Sequence, residues 1–140
     1  MRPILADLAA LASVTCAALL AGGSAQAQSW QLLNESIALR SGETVEIGDV
    51  YWVVNCRSQL RDPPQVTIMD GPPGVTATVT EARVMARYQH CSKPVPGAKL
   101  KITAGEIGDY SHTTMTLRIK YKTRDGDREL SRGFNVTLFP

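Results

Sequence analysis

The chain has 140 residues, 44% of them hydrophobic and 6% aromatic, with 15 basic residues against 13 acidic ones. That length supports a single ordinary domain, and a net charge of +2 excludes the strongly basic surface that would point to a nucleic-acid partner. Three cysteines in so short a chain make redox compartment the first question.

The N-terminus answers it. Met1 and Arg2 form a short basic start, an apolar run follows from Ile4 to Leu20, and Ala25-Gln26-Ala27 supplies the small-x-small pattern of a cleaved leader. Residues 1–27 are therefore expected to be a signal peptide and residues 28–140 a single domain, periplasmic or secreted. Asp7, Ser13 and Thr15 interrupt the apolar run, and a span needs roughly 20 apolar residues, so no membrane span is expected. Cys16 lacks the leucine and small-residue context of a lipidation site and leaves with the leader. Cys56 and Cys91 remain, and in an oxidising compartment they are expected to form a disulfide.

Beyond the leader the pattern is that of strands. Ile37 and Leu39 alternate with Ala38 and Arg40, Ser41-Gly42-Glu43 turns the chain, and Val45 and Ile47 alternate with Glu46. Val50-Tyr51-Trp52-Val53-Val54 is nearly continuous in aromatic and β-branched residues and predicts a central strand covered on both faces. Asp62-Pro63-Pro64 makes Arg57 to Gln65 a loop, Val66 to Met69 a short strand follows, and Gly71-Pro72-Pro73-Gly74 a stiff reversal. Val75, Ala77 and Val79 alternate with threonines, Val84 to Cys91 predicts a further strand, and Pro94 and Pro96-Gly97 close it before Leu100 to Thr103. Met115, Leu117, Ile119 and Tyr121, then Phe134, Val136 and Leu138, each mark one buried face of a strand, with Asp125-Gly126 as the hairpin turn between them. No helical period is sustained anywhere. Roughly seven to nine strands with regular turn signals predict an all-β, antiparallel sandwich.

Those alternating strands, a cysteine at the end of an aromatic strand, and Gly108-Asp109-Tyr110 leading into a long strand resemble an immunoglobulin-like β-sandwich of the bacterial kind. Trp52 precedes the first cysteine and Cys91 precedes the long penultimate strand, so the bond need not be the inter-sheet disulfide of antibodies. The resemblance implies a binding platform and no particular activity.

Candidate chemistry is sparse. His90 beside Cys91, and His112 three residues before Met115, with Met69 and Met85 as further sulfur donors, raise a periplasmic copper site. Residues three apart on a strand face opposite ways, which argues against that pairing, and no metal or cofactor is expected. Asp109, Ser111 and His112 offer the residue types of a hydrolytic triad without a glycine-framed nucleophile, and Asp125 with Asp127 fits a hairpin better than acid–base work, so no catalytic residue is assigned. Arg57, Arg61, Arg87, His90 and Lys93 flank the two cysteines and would be drawn into one basic neighbourhood by the disulfide. The expectation is a non-enzymatic exported module that binds a protein or an anionic envelope ligand through the proline-stiffened segments Arg57 to Gln65 and Ser92 to Gly97. An inhibitor of an envelope or extracellular enzyme and a copper-binding protein are the alternatives.

Overall fold

A computed structural model describes residues 30–32 and 36–140 of the chain. The expected leader lies outside the described residues. The strands are β1 (Trp30–Leu32), β2 (Ser36–Arg40), β3 (Thr44–Val50), β4 (Val53–Val54), β5 (Arg57–Ser58), β6 (Gln65–Asp70), β7 (Val75–Val84), β8 (Val95–Ala104), β9 (Ser111–Thr123) and β10 (Gly126–Phe139). Among the described residues the one helical element is a single 3₁₀ turn, Arg87–Gln89, and no helix is long and apolar enough to cross a membrane.

Eight of these strands form two four-stranded sheets, ordered β1-β3-β8-β7 and β2-β10-β9-β6. The pairings are antiparallel except that β2 runs parallel to β10, Val136 opposite Ile37. With β1 as strand A, β2 as a split half A′, and β3, β6, β7, β8, β9 and β10 as B to G, the order is A-B-E-D over C-F-G-A′, an immunoglobulin-like order with a strand added beside G. The all-β sandwich is thus present, with its core supplied by the inner faces of both sheets.

Period-two patterning explains that core. Met115, Leu117, Ile119 and Tyr121 on β9 and Phe134, Val136 and Leu138 on β10 are all buried, facing Leu100 and Ile102 of β8 in one cluster with Leu39 and Ile47. Burying one such aliphatic side chain contributes about 2 kcal/mol, so the alternation fixes which face of each strand turns inward. Thr123, Arg124, Asp125 and Gly126 make the β9–β10 reversal, with Gly126 at φ +110° one place beyond the tip and the Thr123 hydroxyl donating to its carbonyl at 2.6 Å.

Three strand expectations are corrected. The run Val50 to Val54 is not one central strand: β3 ends at Val50, and Val53–Val54 pairs only with Arg57–Ser58. Its side chains divide between two clusters: Val50 and Trp52 pack with the sheet core, the Trp52 and Tyr121 ring centroids 5.2 Å apart, while Tyr51 and Val53 join a separate buried group. Val84 to Cys91 is not a strand either, because β7 stops at Val84 and the chain coils into the 3₁₀ turn, ended by His90 at φ 55°. Pro94 and Pro96-Gly97 do not close a strand; Val95, Pro96 and Gly97 open β8. Pro96 is paired only on one side, opposite Arg83 of β7, because β3 pairs with β8 only as far as Ala98, which is the edge-like setting in which a strand tolerates proline.

Candidate functional site

The connections β3–β6, β7–β8 and β9–β10 emerge at one pole of the sandwich, which in immunoglobulin terms carries the B–C, D–E and F–G loops. A second buried cluster, Tyr51, Val53, Val84, Ala86, Cys91 and Val95, packs beneath this pole. Burial raises the Tyr51 phenol above its ordinary value, with the Asp49 carboxylate adding to the effect, so the cluster keeps that hydroxyl neutral.

The disulfide Cys56–Cys91 is formed and ties the first connection to the second, with Cα atoms 5.5 Å apart. It lies at the pole and does not cross between the sheets. Local backbone geometry delivers both sulfurs. Asn55 and Cys56 take φ 50° and 58°, the paired left-handed conformation of a two-residue hairpin turn between β4 and β5. On the other side, N–H groups of Gln89 and Cys91 both donate to the Ala86 carbonyl, at 3.1 and 3.4 Å, which curls the chain so that Cys91 turns into the second cluster. The Arg61 N–H donates to the Lys122 carbonyl at 2.8 Å and the Arg124 N–H to the Gln59 carbonyl at 3.0 Å, binding the third connection to the first.

The result is a groove of about 590 Å³ whose lining includes Arg57, Arg83, His90, Lys93 and Arg124 beside Cys56, Pro94 and Pro96. Of the expected basic residues, Arg57, His90 and Lys93 are brought together there; Arg61 and Arg87 are exposed and outside the lining. Arg83 and Arg124 were not expected. Arg83 arrives because the β7–β8 register sets it opposite Pro96, and its Nη2 donates to the Pro94 carbonyl at 2.7 Å. Arg124 arrives because it sits at the β9–β10 tip. Only the strand order could have placed either one.

No acidic residue lines the groove, and among the described residues none of Arg57, Arg83, Lys93 and Arg124 forms an ion pair. The ion pairs lie elsewhere, Lys99 with Glu46 and Asp49 and Arg118 with Glu129 at 2.9 Å. A second hollow of about 650 Å³ holds Asp62, Asp127 and Glu129 together with Lys120, Lys122 and Arg128, so its charges are mixed in sign. The Lys120 and Lys122 side of β9 does face Glu129 and Asp127 in register, but the close contact of Glu129 is to Arg118.

The histidine–methionine pairing is not formed. β9 begins at Ser111, so exposed His112 and buried Met115 lie on opposite faces, and the His112 Nδ1 pairs with the Thr137 hydroxyl at 2.9 Å across to β10. Among the described residues no group of three or more His, Cys, Asp or Glu side chains gathers in metal-binding range. Compared with known protein families, curated proteins and solved structures, the chain matches none.

Proposed function

We propose that the chain is an exported, non-enzymatic β-sandwich recognition module, periplasmic or secreted, that engages an acidic partner through its disulfide-tied loop pole. One observation carries this: four formally positive side chains from separate stretches of sequence converge on a single concavity with no counter-charge. Like charges placed together on a surface repel and are ordinarily interleaved with acids, so their convergence favours a negatively charged occupant. Export is supported by the disulfide and by the leader pattern at residues 1–27.

The test is affinity capture from cell-envelope extract under oxidising conditions, with residues 28–140 and a variant carrying Arg57→Gln, Lys93→Gln and Arg124→Gln. The wild-type domain retains a partner that moderate salt releases, and the triple variant does not. Equal retention by both proteins removes this pole as the binding surface.

A further inference from the structure

We infer that the occupant of the groove is a compact phosphate-type group bearing at least two negative charges, either a diphosphate or a phosphomonoester. The inference rests on the anion-binding reading above and narrows it by size, charge and donor geometry.

Size comes first. A concavity of about 590 Å³ lies within the roughly 300–1,000 Å³ range of small-ligand sites, and it is a depression at the tip of a small domain. A polynucleotide needs a long basic track, which a chain of net charge +2 does not offer.

Charge is the second constraint. Arg57, Arg83, Lys93 and Arg124 present four formal positive charges, and a single carboxylate would leave most of them uncompensated. A group with two or more negative oxygens lets several cations be satisfied at once.

Donor geometry is the third. Arginine presents a planar fork of five N–H donors that matches phosphate oxygens, and Lys93 adds a point charge. Arg83 spends one of its donors on the Pro94 carbonyl, which fixes the guanidinium against the wall and leaves the others available. Cys56, Pro94 and Pro96 form an apolar, covalently braced wall beside these donors. A phosphate on a small carbon scaffold suits that combination, its oxygens against the arginines and its carbon body against the prolines. Rigid walls also reduce the ordering entropy lost on binding.

The experiment titrates the oxidised domain with inorganic pyrophosphate, and separately with acetate, following backbone amide shifts by NMR. Pyrophosphate should bind at least about tenfold more tightly than acetate, with shifts concentrated at residues 56–58, 83, 90–93 and 124, and should weaken as salt rises. Arg57→Gln combined with Arg124→Gln should weaken it at least about tenfold, because two charge-assisted contacts are lost. Arg61→Gln combined with Arg87→Gln, outside the groove, should leave it unchanged. Phosphatidylcholine vesicles with and without phosphatidic acid distinguish the source: co-sedimentation only with the acidic lipid assigns a lipid headgroup, and pyrophosphate binding without it assigns a soluble phosphate.

Pyrophosphate binding no tighter than acetate, shifts centred elsewhere, or equal losses in the two double variants would overturn the inference. A captured envelope partner that depends on Arg57 and Arg124 but that pyrophosphate cannot displace would overturn it too, while leaving the broader anion-binding function intact.

Discussion

Replacing Cys56 and Cys91 together by alanine removes the one covalent link between the first and second loop connections. The bond spans 35 residues. In the chain-entropy treatment a loop of that length restricts the unfolded state by about 4 kcal/mol. Small domains are stable by roughly 5–15 kcal/mol, so the loss takes about a quarter or more of the total and lowers the melting temperature on the order of 20 °C. Burial of Cys91 in the cluster with Tyr51 and Val84 adds a small packing loss in the same direction. Urea denaturation of the oxidised domain, the same domain reduced, and the double variant measures it. Reduced protein and variant should share a lowered midpoint, with a slope at least as steep as that of the oxidised form, since the unlinked chain unfolds to a more open ensemble. A loss under about 1 kcal/mol refutes the entropy argument. So does hydrogen exchange that rises only in residues 51–64 and 85–94 at an unchanged midpoint, because the staple would then order its own loops and nothing more.

Gly97→Ala should destabilise by about 3 kcal/mol, read by thermal melting, because its Cβ would lie 2.6 Å from both the Val50 carbonyl oxygen and Val84 Cγ2, and the carbonyl is backbone that cannot rotate away. Asn55→Val should cost about 1–2 kcal/mol in the same assay, since a β-branched residue resists the φ of 50° that the β4–β5 turn requires, while Asn55→Gly should be close to neutral. Lys99 is held above its ordinary pKa chiefly by its hydrogen bond to Asp49, with burial opposing and Glu46 assisting. A raised lysine pKa stabilises the fold fully below the unfolded value of 10.5 and loses that contribution as pH climbs through the higher folded value. Lys99→Met should therefore flatten the alkaline fall in stability relative to wild type by no more than about 1 kcal/mol, the worth of a surface pair still open to solvent screening. Tyr51, raised by burial, contributes a fall of the same sign to both proteins, so the difference isolates Lys99.

The strands that sequence patterning located carry an apolar residue at every second position, whether fully buried as in much of β9 or half-buried as in β6 and β7. β9 alternates from Met115 to Thr123 and β10 from Phe134 to Leu138, because there each inner residue meets the opposite sheet while its neighbours turn outward. Val50 to Val54 failed for the converse reason: a continuous apolar run carries no period, and these residues divide between the sheet core and the second cluster under the loops. The stretch from Val84 to Cys91 alternates as a strand would, yet His90 in a left-handed conformation and the 3₁₀ turn before it break the ladder. Cysteine count together with the leader pattern was enough to predict the disulfide. It was not enough to draw the site, since proximity to a crosslink sets a neighbourhood without saying which side chains line its concave side. Arg61 and Arg87 fell outside, and Arg83 and Arg124 entered through register and strand order, neither of which one chain's composition encodes locally.

The placement of the cations and the placement of the staple belong to one physical arrangement. Positive groups about a Debye length apart in water repel by only a few tenths of a kcal/mol per pair, and a loose loop would relieve even that by swinging them apart. Here the backbone is denied that relief. Cys56 is locked to Cys91, Cys91 is packed in its own cluster with Val84 and Val95, Arg83 is bonded to the Pro94 carbonyl, and the Arg124 N–H is bonded to Gln59. Uncompensated charge held on a braced scaffold attracts an anion more strongly than the same charges on mobile loops, because no ordering cost is incurred at the moment of binding. Binding and bond are consequently linked in both directions: opening the disulfide should weaken pyrophosphate binding, and pyrophosphate should make the disulfide harder to reduce by the same factor. Titrating pyrophosphate into oxidised and reduced protein, and measuring the thiol–disulfide equilibrium against glutathione with and without pyrophosphate, gives the two factors separately. Equal affinities in the two redox forms would mean that the sheets alone position the arginines and that the staple serves stability only.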